Sequence, residues 1–275
     1  MRIPDTLNLQ DNARLSVKFL TSHVDEKHGS RPYFYTRFLE DPVKSEHINR
    51  DYCETPGRYL YGLVSARLMC GDKAETGVEK ALKELLYATF SEGDGLSYRP
   101  TESPYGPVSH MASLWENRSV FMGFLFSYLV TGDNKLRQHL DRMAEAVLRM
   151  AIQTDEGAYF SKRAYLPGYV RNNDEPANMG QGIGGWISPL YNYSEISGNV
   201  RILELSIALS RYLMKHAQIF EEKSQGKFRA DRILHSLLTQ VLGGGWKGWF
   251  NTHSVMFSLA GIIRVGRKTH DRDML

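Results

Sequence analysis

Cysteine is nearly absent from this chain: Cys53 and Cys70 are the only two in 275 residues. Two thiols cannot build a four-cysteine zinc site or a disulfide framework, so the sequence predicts free thiols in a reducing, cytoplasmic setting. Long apolar runs are missing as well. The richest, Val120 to Val130, is broken by Gly123, Ser127 and Tyr128 and is too short to cross a bilayer. The opening Met1-Arg2-Ile3-Pro4-Asp5 leads into polar sequence, without the apolar stretch of a signal peptide. Neither sign of charge dominates: 34 Lys and Arg face 31 Asp and Glu, a net +3 with no polybasic run. That balance argues against nucleic acid and membrane as partners.

Several catalytic signatures are also lacking. The nine histidines fall at no HExxH-like metal spacing, and no Gly-x-Ser-x-Gly elbow occurs. The glycine run Gly180-Gln181-Gly182-Ile183-Gly184-Gly185 lacks both the preceding strand and the Lys-Ser/Thr of a phosphate loop. No metal or cofactor is therefore expected.

What the chain has is a repeat. Apolar segments run into short turns, Cys70-Gly71-Asp72, Thr131-Gly132-Asp133, Ser197-Gly198-Asn199 and the degenerate Thr269-His270-Asp271, each followed by amphipathic sequence where the chain continues. Centred on residues 71, 132, 198 and 270, the copies are 61, 66 and 72 residues apart. A period of this length built from helix pairs predicts an all-α repeat architecture. Glycine suits the left-handed residue that ends a helix, and Asp or Asn suits the cap of the next.

The helices on the two sides of each turn differ. Before it, Tyr59–Val64, Val120–Phe126 and Val255–Ile263 are apolar in nearly every direction, which predicts burial on all sides. Trp186–Ile196, with Pro189, is the weaker third copy. After the turn the pattern is one-sided: Val78, Leu82, Leu85 and Leu86; then Leu136, Leu140, Met143, Ala144, Val147 and Ala151; then Ile202, Leu205, Leu209 and Leu213. An inner layer wrapped by an outer one follows, with residues 1–275 as a single domain of about four hairpins. Residues 11–22 and 229–242 are expected to add further helices. The long return loops, 91–115, 152–185 and 218–252, are rich in Gly, Pro, Asn and aromatics and are the natural carriers of function. Few short strands are expected, Ala158 to Ser161 being one.

This arrangement resembles the six-hairpin (α/α)6-toroid superfamily of glycoside hydrolases, polysaccharide lyases and sugar epimerases. Thr252-His253-Ser254, followed by an apolar helix and Arg264-Val265-Gly266, looks like late hairpins of its arabinofuranosidase-like and glucuronidase-like branches. The resemblance implies a carbohydrate substrate. It also implies a partial ring, because six hairpins need roughly 360–400 residues. A further C-terminal portion, or a partner such as a second copy, would close it. Some arabinofuranosidases of this superfamily carry a cysteine-rich zinc site, which two cysteines cannot reproduce.

In such a toroid the segments before each inner helix meet at one mouth. Here they run 47–58, 110–118, 172–186 and 245–253. Aromatic faces beside carboxylates are what sugar rings bind, and glycoside hydrolysis needs one acid and a second carboxylate. Glu116, beside Trp115, is the expected acid, paired with Asp51 or Asp174. Arg58 and Arg118, equivalent in the first two repeats, suit the carboxylate of a uronate. Glu54, Trp115, Asn178, Gln181, Trp186, Trp249 and His253 complete the expected substrate contacts. Each has a structural alternative: helix cap, core ring, or, for Glu116, an ion pair with Arg118. A glycoside hydrolase acting on a uronate- or pentose-containing glycan is the first expectation. A lyase or epimerase using His253, His110, Tyr52 or Tyr105 for proton transfer is the second, and a non-catalytic glycan- or protein-binding scaffold the third.

Overall fold

The computed structural model describes residues 8–48, 52–162, 165–169, 175–217 and 252–275. These are mostly helical, so the all-α class holds, and strands are confined to three two-stranded hairpins. In chain order the elements are α1 (Leu9–Ser22), β1 (Val24–Asp25), β2 (Arg31–Pro32), β3 (Tyr35–Arg37), β4 (Lys44–Glu46), α2 (Glu54–Met69), α3 (Gly77–Tyr87), α4 (Leu114–Thr131), α5 (Asn134–Met150), β5 (Ile152–Thr154), β6 (Gly157–Tyr159), α6 (Gly185–Ser197), α7 (Val200–His216) and α8 (Thr252–Thr269). No helix among the described residues is long and apolar enough to cross a membrane. The expected helix at 229–242 lies outside the described residues.

The four turns share one geometry. Gly71, Gly132 and Gly198 have φ of +76°, +66° and +69°, and His270, in the degenerate copy, has +54°. The next residue then accepts a hydrogen bond through its side chain from the amide two positions on: Asp72 from Ala74, Asp133 from Lys135, Asn199 from Arg201 and Asp271 from Asp273. A Cβ at any of the three glycines would meet nothing within 4 Å. Glycine is therefore there for its backbone angle and not for space.

The chain divides into two compact units. The first comprises Met1–Ala146 with Ala164–Tyr169, the second Val147–Arg163 with Val170–Leu275. In the first, α2 packs against α1, α3 and α4. Its crossing with α4 is a backbone contact: a Cβ on Gly57 would lie 2.5 Å from the Ser119 carbonyl carbon, and one on Gly123 2.8 Å from the Gly57 oxygen. Leu60, Leu63, Val64, Phe121, Phe124 and Leu125 fill the core around that crossing. The α2–α3 hairpin is locked by a buried pair, with Arg67 Nε and Nη2 donating to Glu79 Oε1 and Oε2 at 2.7 and 3.0 Å. Arg67 Nη1 also donates to the Asp72 carbonyl within the turn.

In the second unit α6 packs against α7 and α8, and Gly261 of α8 sits against Ile187 and Ser188 of α6. The one-sided faces expected of α5 and α7 are buried, while on α3 Leu82 and Leu86 are buried and Val78 and Leu85 are half-buried. Burial on all sides, expected of Tyr59–Val64, Val120–Phe126 and Val255–Ile263, needs correcting for the third: the first two contain buried and half-buried residues and no exposed one. On α8, Met256 is 62% and Ile263 38% exposed. That helix buries Ser254, Ser258, Gly261 and Gly266 together with Ile262 and Val265, so close approach at its small residues joins apolar packing in seating it.

The hairpin β5–β6 falls where a strand was expected, Ile152 facing Tyr159. The pairs β1–β2 and β3–β4 have no periodic signal long enough to announce them.

Candidate active site

The first unit gathers more chemistry than the sequence pattern alone gives. α4 starts at Leu114, and two of its first residues fix the loop segment that runs beside it. Asn117 Oδ1 accepts from the Ser97 amide at 2.8 Å and its Nδ2 donates to the Ser97 carbonyl at 2.9 Å, as a strand partner would. Glu116, only 2% exposed, accepts through Oε1 from Arg99 Nε at 2.8 Å and Nη2 at 2.5 Å. The partner of Glu116 is thus Arg99, not Arg118. Arg99 also accepts, through its carbonyl, from His110 Nδ1 at 2.7 Å, and its amide donates to the Met111 carbonyl.

Arg99 and His110 line an open pocket of about 420 Å³, together with Arg31 of β2, Tyr52 and Glu92. His110 Nε2 meets Glu92 Oε1 at 2.8 Å, so both ring nitrogens face oxygen atoms. That contact holds the Glu92 carboxyl below its usual range. The Arg31 guanidinium lies 4.6 Å over the Tyr52 ring, its Nε is buried without an acceptor, and it forms no ion pair among the described residues. Tyr52 donates its hydroxyl to Ser103 Oγ. Cys53, next to Tyr52, is buried, and burial pushes its thiol up to about 12, which removes it as a nucleophile at neutral pH.

A row of rings leads away from this pocket. The Tyr105 ring centre lies 6.3 Å from that of Tyr52, His47 lies tilted 4.5 Å from Tyr105, and Tyr33 stacks 4.7 Å from His47. His47 Nε2 meets Asp25 Oδ2 at 3.2 Å, and the same oxygen meets His28 Nδ1 at 2.7 Å. The His28 contact holds Asp25 below the usual carboxylate range. Burial lowers His47, with Asp25 opposing the shift.

Tyr33 also lines a second open pocket, of about 350 Å³, whose wall includes Glu54 and Arg58 from the first turns of α2. Glu54 and Arg58 pair at 2.5 Å. Arg58 and Arg118 each lie 5.4 Å from the centre of the Trp115 ring. Burial lowers Arg118 to about 10, with Arg58 adding repulsion and Glu54 opposing it. The structure brings Glu54, Arg58, Trp115 and Arg118 together, while Glu116 pairs with Arg99.

The remaining expected residues divide otherwise. In the second unit Asn178 caps the wide turn Met179–Gly184, accepting from the Gly180 and Gln181 amides. Trp186 is wholly buried, 6.3 Å from Phe160, which is a core position rather than the platform expected of it. Gln181 is half-buried in the same wide turn. Asp51, Asp174, Trp249 and the side chain of His253 lie outside the described residues.

Arg31 and Arg99 are the functional candidates that the sequence pattern missed. Arg99 falls in the 91–115 loop flagged as function-bearing; Arg31 falls in a hairpin without a signal. Among the described residues no group of three or more His, Cys, Asp or Glu side chains could hold a metal ion. No family model matches the chain, and no curated protein matches its sequence.

Proposed function

We propose that the chain is a carbohydrate-active enzyme of the six-hairpin α/α-toroid type that acts on a uronate-containing glycan by removing the proton beside the carboxylate, as a lyase or an epimerase. One observation carries this reading: a single pocket is lined by Arg31, Tyr52, Arg99 and His110. Arg31, a guanidinium without an ion-pair partner among the described residues, receives the sugar carboxylate as a bidentate ligand. Neutralising that carboxylate acidifies the neighbouring C–H. Tyr52, under Arg31, takes the proton as its phenolate, its own hydroxyl proton having first passed to solvent, and a donor nitrogen of His110 delivers a proton to the leaving oxygen. In elimination the C–H electron pair becomes the new C=C bond as the C–O bond breaks. In epimerisation the same carbon is reprotonated from its other face. Glu116 acts here as the positioning residue for Arg99.

Glycoside hydrolysis of the same substrate is the second reading. It is favoured by Glu54, whose carboxylate lines the neighbouring pocket.

The test is to incubate the chain with polygalacturonate, alginate and hyaluronate. Three products are followed: the ultraviolet absorbance of an unsaturated uronate, deuterium incorporation beside the carboxylate in heavy water, and new reducing ends. Absorbance or deuterium uptake, lost in R31A and H110A, supports proton abstraction. Reducing ends alone shift the assignment to hydrolysis, and silence in all three assays sinks the enzymatic reading.

A further inference from the structure

The second pocket has a composition of its own. Phe19, Phe34 and Phe38 stand around its opening at 45%, 39% and 70% exposure, while Thr36, Glu54 and Arg58 supply the polar part of its wall. One exposed phenylalanine needs no explanation, but three around one opening form an apolar rim that a ligand is expected to cover. Its volume, about 350 Å³, falls at the small end of ligand-binding cavities. Charge separates it from its neighbour: Arg58 is compensated by Glu54 at 2.5 Å, whereas Arg31 in the first pocket has no ion-pair partner among the described residues. A ligand here is neutral, with an apolar face for the rings and hydroxyls for the Thr, Glu and Arg groups. A pyranose or furanose ring without a carboxylate has that chemistry.

A row of rings links the walls of the two pockets: Tyr33 lines the second, and His47 and Tyr105 lead from it in three ring-to-ring steps to Tyr52 in the wall of the first. We infer that the Phe19–Phe34–Phe38 pocket is a distal subsite for a neutral sugar residue of the same glycan chain whose uronate sits at Arg31. The substrate is then an oligosaccharide or polymer of mixed neutral and acidic residues, and not a free sugar acid. This inference rests on the carbohydrate reading above.

The test uses the full chain and F38A, a change at an exposed side chain that leaves the core intact. On a length series from dimer to hexamer of hyaluronate, whose uronates alternate with neutral residues, kcat/KM rises with length in the wild type. Turnover confined to the all-uronate polygalacturonate and alginate overturns the subsite. In F38A the hexamer-to-dimer ratio falls about five-fold, the size of one lost ring stack. A ratio unchanged by F38A overturns the subsite even where turnover is intact. Should no polymer be turned over, xylohexaose and cellohexaose serve as binding probes by calorimetry. Binding lost in F38A keeps the subsite while the catalytic reading falls. No binding of either probe, or binding indifferent to F38A, overturns the subsite, as does capture of an aromatic peptide in place of sugar.

Discussion

Glu116 holds Arg99 through a single carboxylate oxygen, which accepts from both Nε and Nη2 inside the body of the first unit. Arg99 in turn forms one edge of the pocket, and its carbonyl accepts from the His110 ring beside it. A carboxylate expected to give a proton to substrate is instead committed to a guanidinium.

Removing one member of that pair leaves the other charge buried. E116A is expected to cost about 3–5 kcal/mol, and the double change R99M/E116L to recover much of the loss. Urea denaturation of the three proteins measures this. Equal stability of E116A and wild type would mean that the pair carries no load.

The α2–α4 crossing leaves no room for a methyl group. G57A places its Cβ 2.5 Å from the Ser119 backbone, so the helices must separate, at a cost of roughly 1–3 kcal/mol. G123A presses on the same crossing from the other side. Thermal melts of both variants should shift downward, and an unshifted G57A would contradict the contact.

His270 adopts the left-handed backbone that its three counterparts reach with glycine. H270G is expected to stabilise the fold by about 1 kcal/mol, and G198A to destabilise it by a similar amount. Opposite signs in paired denaturation curves are the result to look for; a loss in both would point to a side-chain role for His270.

Two histidines make stability depend on pH. Burial lowers His47, against the opposing pull of Asp25, and burial lowers His139, aided by repulsion from Arg142 and Lys135. Their folded values lie below the ordinary 6.5, so as pH falls past that point the unfolded chain binds protons that the folded chain refuses. Stability is full above the unfolded value and is lost on acidification through the folded one. Denaturation midpoints at about pH 7.5 and about pH 5.5 should differ in the wild type and differ less in H47F/H139F. An equal drop in both proteins would locate the acid sensitivity elsewhere.

The sequence made the helices legible because their signals are local. A glycine before an Asp or Asn, and leucines at helical spacing, act within a few residues, and α5 and α7 bury the sides that their spacing indicates. α8 misled because only some of its apolar residues pack: Ile262 and Val265 are buried beside Ser254, Ser258 and Gly261, while Met256 and Ile263 are exposed. The pocket was half legible. Arg58, Arg118 and Trp115 converge because two repeats superpose their helix starts, which an aligned period reveals. Arg31 reaches Tyr52 through a two-residue strand pair, and Glu116 chooses Arg99 over its helical neighbour Arg118. Such choices between candidate partners are made by tertiary packing, which spacing does not encode.

The four turns have a consequence for how relatedness is recorded in this molecule. What the copies hold in common is the sign of one torsion and an oxygen that reaches an amide two residues ahead. Glycine and histidine both supply the first, and Asp and Asn both supply the second. Letter-by-letter comparison therefore shows the fourth copy as degenerate, while comparison of dihedral angles sets it level with the other three. The kinship of such segments can outlast their spelling, and it is better sought in torsions than in residues.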